Sequence, residues 1–183
     1  MKKLIALLTL VSSTAFAADY VSVDVDHVNG LNGAKDSTVQ YVRAGKAFDD
    51  LQLGLQSRTA QVQGGGLLNS LEFTAANNKI NVAGIKPFVG VGYDNGFNGA
   101  AGKSYEYGLL GATYGVKAGP GFALLGAKTR VGSTEDGLRT KQTVAFGTYS
   151  LPVVKNVAVN LNVSKSYQTI KEDAIGLGLS FSF

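Results

Sequence analysis

No cysteine occurs in the chain, so disulfides and the thiolate chemistry of zinc, iron–sulfur and cysteine-nucleophile sites are excluded. Histidine is nearly absent: His27 is the only one, which leaves any histidine-dependent nucleophile scheme with a single candidate. Proline is scarce at 3 residues. Long apolar runs are missing as well. Beyond the extreme N-terminus no stretch approaches the ~20 apolar residues that a helix needs to cross a bilayer. Beyond Lys2 and Lys3 a strong excess of one charge is also lacking, because the remaining lysines and arginines are dispersed singly and form no basic run. Electrostatics therefore names no nucleic acid partner.

The N-terminus carries Lys2 and Lys3, then Leu4-Ile5-Ala6-Leu7-Leu8-Thr9-Leu10-Val11, then small residues closing in Ala15-Phe16-Ala17. A basic start, a short apolar core and a small-residue site describe a secretory signal peptide over 1–17, with cleavage between Ala17 and Ala18. As a membrane anchor the apolar core is too short to cross ~30 Å of hydrocarbon. Removal of two lysines lowers the formal charge from the +4 of the full chain by about two units. Residues 18–183 are then expected to form a single domain.

Glycine is plentiful at 24 residues and has no period of three, and Tyr and Phe supply 8 and 9 aromatics. That balance suits many strands with tight turns. The clearest pattern is terminal, where Ile175, Leu177, Leu179, Phe181 and Phe183 alternate with Gly176, Gly178, Ser180 and Ser182. Val157 to Val163, Leu51 to Leu55 and Val21 to Val25 alternate in the same way, so each reads as a strand with one apolar face. Ten such segments are expected, near 20–28, 37–47, 51–58, 68–76, 81–93, 104–117, 122–132, 139–150, 156–167 and 173–183. Val39-Gln40-Tyr41-Val42-Arg43 and Leu67-Leu68 interrupt the alternation of the second and fourth, and the loss or merging of two segments would leave eight.

Connections alternate in length. Phe48–Asp50, Asn77–Lys79, Ala118–Gly121 and Leu151–Lys155 are short, whereas Asn29–Asp36, Thr59–Leu67, Asp94–Lys103, Gly132–Leu138 and Gln168–Glu172 are mostly longer and richer in glycine or polar residues. Short turns on one rim and loops on the other are what a closed antiparallel up-and-down transmembrane β-barrel gives, with an even strand count and both termini on the short-turn side. A soluble lipocalin-like barrel gives the same alternation with its apolar face inside. The loop asymmetry, the terminal aromatics and the polar residues on the opposite face favour the membrane barrel. Those polar residues are the candidate lumen lining: Asp24, Asp26, Gln52, Gln56, Arg58, Glu106, Lys128 and Arg130. Asp24 and Asp26, two apart on one face, would suit a cation site, but interior ion pairs with Lys128, Arg130, Lys86 or Lys141 are the preferred reading.

The C-terminal segment resembles the insertion signal of bacterial outer-membrane proteins, with Phe183 terminal, Phe181 two positions earlier and Gly178 three before that; Gly176 stands where that signal usually has a polar residue. Lys86-Pro87-Phe88-Val89-Gly90-Val91-Gly92-Tyr93, Tyr105-Glu106-Tyr107-Gly108 and the last strand together resemble the small outer-membrane barrels of the OmpA and OmpX type. The resemblance implies an outer-membrane location, outer-membrane lipid and lipopolysaccharide as surroundings, and delivery by periplasmic chaperones and the β-barrel assembly machinery. It leaves the oligomeric state open and implies no cofactor and no nucleic acid.

Gly90-Val91-Gly92 lacks the third glycine and the following helix of a dinucleotide loop. No His-x-Ser pair of a lipid A deacylase is present, since Val28 and Asn29 follow His27, and an omptin-like protease would need Asp and His pairs on a longer chain. No catalytic or metal-binding residue is therefore expected. Three roles are weighed: a small porin-like channel for ions or small solutes, which is preferred; a plugged barrel with a structural or adhesive surface role; and a lipid-modifying enzyme. Small residues lining the lumen would favour a channel, and facing charges a plug.

Overall fold

The computed structural model describes residues 19–30, 37–61, 67–96, 104–134, 137, 139–168 and 172–183. The signal-peptide expectation over 1–17 and its junction at Ala17 and Ala18 lie outside the described residues. Ten strands follow in chain order: β1 Tyr20–Asn29, β2 Ser37–Phe48, β3 Leu51–Gln61, β4 Leu67–Asn77, β5 Ile85–Asp94, β6 Tyr105–Ala118, β7 Gly121–Thr134, β8 Arg139–Val154, β9 Val157–Gln168 and β10 Asp173–Ser182.

Every strand pairs antiparallel with its sequence neighbours, and β1 also pairs with β10, from Tyr20 opposite Ser182 to Asn29 opposite Asp173, so the sheet closes into a ten-stranded up-and-down barrel. Closure leaves no unpaired edge. The eight-strand alternative is excluded, because β2 and β4 keep full registers with β3.

Three of the connections on the rim near both termini are tight. Phe48 pairs with Leu51, Ala118 with Gly121 and Val154 with Val157, with Asp49, Gly119 and Asn156 taking positive φ of 45°, 57° and 65°. Two boundaries differ from the sequence expectation by four residues, the others by three or fewer. β5 begins at Ile85 rather than at residue 81, because Ala83 and Gly84 adopt φ of 54° and 85°, a left-handed pair that no strand continues through. The Asn81 side chain accepts the Gly84 amide at 2.8 Å and fixes that turn. β8 runs on past residue 150 through Pro152 to Val154 by a bulge between Pro152 and Val154, a place in a ladder that tolerates a residue without an N–H.

The period-two alternation places polar side chains inside and apolar ones outside. Asp24, Glu72, Arg58 and Arg130 are 1%, 3%, 4% and 4% exposed, whereas Val91, Leu110 and Leu177 are 62%, 64% and 62% exposed. Such polarity is inverted relative to a soluble barrel, whose apolar face would have to be withdrawn from water. Two small apolar clusters lie within the barrel: Val28, Val39, Tyr41 and Ala60 with Leu68 and Ala174, and Tyr105, Tyr107 and Leu109 with Phe88.

Candidate functional site

The interior holds a cavity of about 780 Å³. Tyr20, Gln52, Asn81, Lys86 and Ser182 line it near the short-turn rim, and Arg58, Glu72, Arg130, Gln142 and Glu172 line its inner end. Nearer the long-loop rim Val28, Val39, Ala60, Asp94 and Tyr105 are all 2% exposed or less. The cavity is thus a vestibule narrowed by side chains toward the long-loop side.

Three polar clusters shape it. On β1 the alternation sends Val23 and Val25 outward and Asp24 inward, where it accepts the Ser22 hydroxyl at 3.0 Å and the Asn162 amide at 2.8 Å and pairs with Arg43. Arg43 also donates from Nε to Gln56 at 2.9 Å and lies 4.5 Å from the centre of the Tyr41 ring. Gly178 and Gly176 stand opposite Asp24 and Asp26 in the closing register. A Cβ at either glycine would overlap the facing carboxylate, so these two glycines hold the space in which the aspartates lie.

The second cluster centres on Glu72 of β4. Its Oε2 accepts Nε and Nη2 of Arg130 at 3.0 and 2.8 Å and the Tyr107 hydroxyl at 3.3 Å, and its Oε1 pairs with Lys128. Arg130 donates a further bond to Gln142 at 2.9 Å. Gly92 has a structural role here, because a Cβ there would collide with the Tyr107 phenol that reaches Glu72. In the third cluster Arg58 of β3 pairs with Glu172, ahead of β10, at 3.0 Å, both being nearly buried.

Of the residues expected in the lumen, Asp24, Asp26, Gln52, Gln56, Arg58, Lys128 and Arg130 line this cavity. Glu106 does not: it is exposed on the outer face. The buried Tyr105 and Tyr107 take the inward positions of β6 and force Glu106 between them outward. The expected pairing of the aspartates with Lys128, Arg130, Lys86 or Lys141 is also corrected. Asp24 is paired by Arg43, Lys128 and Arg130 share Glu72, and Lys141 is exposed outside between the buried Thr140 and Gln142. His27 is exposed on the outer face of β1, next to Ile175 of β10. Sequence reasoning missed Arg43, Glu72, Tyr107, Asn162 and Glu172. For Glu72 the signal was present, since Ser70, Glu72 and Thr74 alternate with Leu71 and Phe73.

At the short-turn rim Asp19 binds the chain ends together. Its carboxylate accepts Lys46 at 2.8 Å and the Ala47 amide at 2.7 Å, and its carbonyl accepts the Phe183 amide at 3.0 Å. The Lys46 hydrogen bond, then that of Ala47, holds the Asp19 carboxyl below the ordinary carboxylate range.

No family model and no curated protein matches the sequence. Among solved structures the chain is similar to Neisserial surface protein A (14% identity over 90% of this chain and 96% of that one, TM-score 0.45). It is likewise similar to the KdgM porin, solved with disordered oligogalacturonate (13% identity, 90% and 99%, TM-score 0.47). A third is the N-terminal β-barrel domain of Pseudomonas aeruginosa OprF (15% identity, 91% and 98%, TM-score 0.39).

Proposed function

We propose that the chain is an integral β-barrel of a Gram-negative outer membrane whose lumen is a narrow conduit for ions or small solutes, narrowed by side chains toward its long-loop end. The observation that carries this reading is the cavity of about 780 Å³ lined by charged, amide and hydroxyl side chains. Its polar lining is matched by an outer face of exposed aliphatic residues, an arrangement stable only where lipid covers the outside. Export through a signal peptide ending at Ala17, escort by periplasmic chaperones, and insertion directed by Gly178, Phe181 and Phe183 belong to the same proposal.

The test is single-channel recording of residues 18–183 refolded into a planar bilayer. Discrete steps that change size or ion preference on Lys128→Gln or Asp24→Asn support the conduit. A well-inserted but silent barrel supports the second reading, a closed scaffold whose task lies on its outer surface; the burial of Val28, Val39, Asp94 and Tyr105 at the long-loop end favours that alternative.

A further inference from the structure

The inner wall carries rings that the ion pairs do not use. Three inward phenylalanines lie over glycines of a neighbouring strand, where a Cβ would overlap the ring: Phe88 of β5 over Gly111, Phe146 of β8 over Gly126 and Phe122 of β7 over Gly115. All three line the cavity. Gly111 and Gly126 stand one inward step apart on the paired strands β6 and β7, since Gly111 is opposite Lys128 and Thr113 opposite Gly126. Phe88 and Phe146 therefore converge on one patch from either side, and Gly115 places Phe122 nearer the mouth. The missing Cβ lets each ring lie back along the wall and turn a face to the cavity.

Amides with unused capacity stand elsewhere on the same wall. Asn160 of β9 is 4% exposed; its Oδ1 accepts the Ser150 and Ser180 hydroxyls at 2.8 and 3.3 Å, and its Nδ2 donates to no described residue. Gln56 of β3 accepts Arg43 through Oε1 and keeps Nε2 free in the same way. The carboxylates are already engaged: Arg43 holds Asp24, Lys128 and Arg130 hold Glu72, and Arg58 holds Glu172. The buried Asp26 turns Oδ1 against Gly176, without a donor. Lys86, near the mouth, is the lining cation that no described carboxylate pairs.

We propose that the vestibule is a binding site for an uncharged pyranose sugar, with the C–H face of the sugar ring on Phe88 and Phe146 and its hydroxyls on Nδ2 of Asn160 and Nε2 of Gln56. The faces of a pyranose carry partially positive C–H groups, which suit the negative face of an aromatic ring. Its edge carries hydroxyls, each able to accept from an amide and to donate to an oxygen. A cationic solute would have to displace a lysine or arginine to reach a carboxylate, leaving that cation without its partner. The cavity of about 780 Å³ falls within the range of about 300–1,000 Å³ of sites that enclose small organic ligands, room for a mono- or disaccharide. The inference rests on the reading of the lumen as a passage for small solutes and narrows that solute to a chemical class.

The experiment records saturation-transfer NMR of refolded residues 18–183 in deuterated detergent with the methyl pyranosides of glucose, galactose and mannose and with maltose, beside single-channel recording of the same preparation. Saturable transfer to the ring C–H protons of at least one sugar is expected, half-saturated at about 1 mM. Phe88→Leu and Phe146→Leu should each weaken it about fivefold. Asn160→Asp, which keeps the oxygen that holds Ser150 and Ser180 and removes the Nδ2 donor, should do the same. Phe73→Leu, on the exposed outer face, should leave binding unchanged. The heat-modifiable gel shift reports folding of each variant, and should Phe88→Leu or Phe146→Leu fail to fold, Phe122→Leu at the mouth carries the test. No saturable transfer from any of the sugars, equal weakening by Phe73→Leu, or glucuronate held more tightly than methyl glucoside, as pairing with Lys86 would give, would each overturn the proposal. Conductance steps without sugar binding refute this inference alone, whereas sugar binding by a silent barrel refutes only the conduit.

Discussion

Replacement of Glu72 by glutamine tests the electrostatic account of the barrel interior most directly. The carboxylate is 3% exposed and is the shared partner of Lys128, Arg130 and the Tyr107 hydroxyl. Glutamine keeps the shape and removes the charge, so two cations are left side by side without a counter-ion. Breaking a buried pair in this way costs about 3–5 kcal/mol. The lower end of that range is expected here, about 3 kcal/mol, because the Lys128 side chain retains 10% exposure toward the cavity. Lys128→Gln should cost far less, about 1 kcal/mol, since Arg130 still satisfies Glu72 with two hydrogen bonds. Equilibrium urea unfolding in lipid vesicles, followed by the heat-modifiable gel shift, measures both. Equal losses from the two substitutions, or a Glu72→Gln barrel within about 1 kcal/mol of the parent, would refute the shared-carboxylate account.

Leu177, opposite Val25 and Leu161 in the outward row of β10, should respond to Leu177→Arg with a loss of about 2–4 kcal/mol in the same assay if lipid covers it; a neutral result would remove lipid from that face. Gly178→Ala should destabilise by about 1–3 kcal/mol through overlap with the Asp24 carboxylate, whereas Gly108→Ala, where a Cβ meets nothing within 4 Å, should not; equal effects would count against the glycine cradle. Asp19 has a depressed folded-state pKa, so its contribution is complete above the unfolded value and fades as pH falls through the folded one. Parent and Asp19→Asn should accordingly differ in melting temperature at neutral pH and converge in strong acid, and a gap that widens on acidification would contradict the sign.

The wall of this barrel was legible because a strand with one lipid-like face writes its period into the sequence: β1, β3, β9 and β10 alternate almost without fault. Strand number followed, and the boundaries departed furthest at Ala83-Gly84 and at Pro152, where local backbone geometry overrode the pattern. The lumen was less legible. Alternation says which residues face inward and nothing about which inward residues meet, so Arg43, hidden in a segment whose Val39 and Tyr41 are apolar but also inward, gave no sign of pairing with Asp24. Glu106 was misplaced because its charge was weighed ahead of the two tyrosines flanking it. Glu172 lies ahead of β10, outside any periodic segment, and only the register brings it to Arg58.

In this closed sheet each strand touches only its two neighbours along the backbone, so the wall by itself is a hoop that ovalises under sideways load with little change in its hydrogen bonds. The interior pairs act as spokes. Glu72 with Lys128 and Arg130 ties β4 to β7, Asn162 with Asp24 ties β9 to β1, and Arg58 with Glu172 ties β3 to the start of β10. Lateral pressure on the wall must stretch or compress these braces to flatten the cross-section. The roundness of the ring, and with it the width of whatever passage it encloses, is therefore set by side chains and not by the sheet.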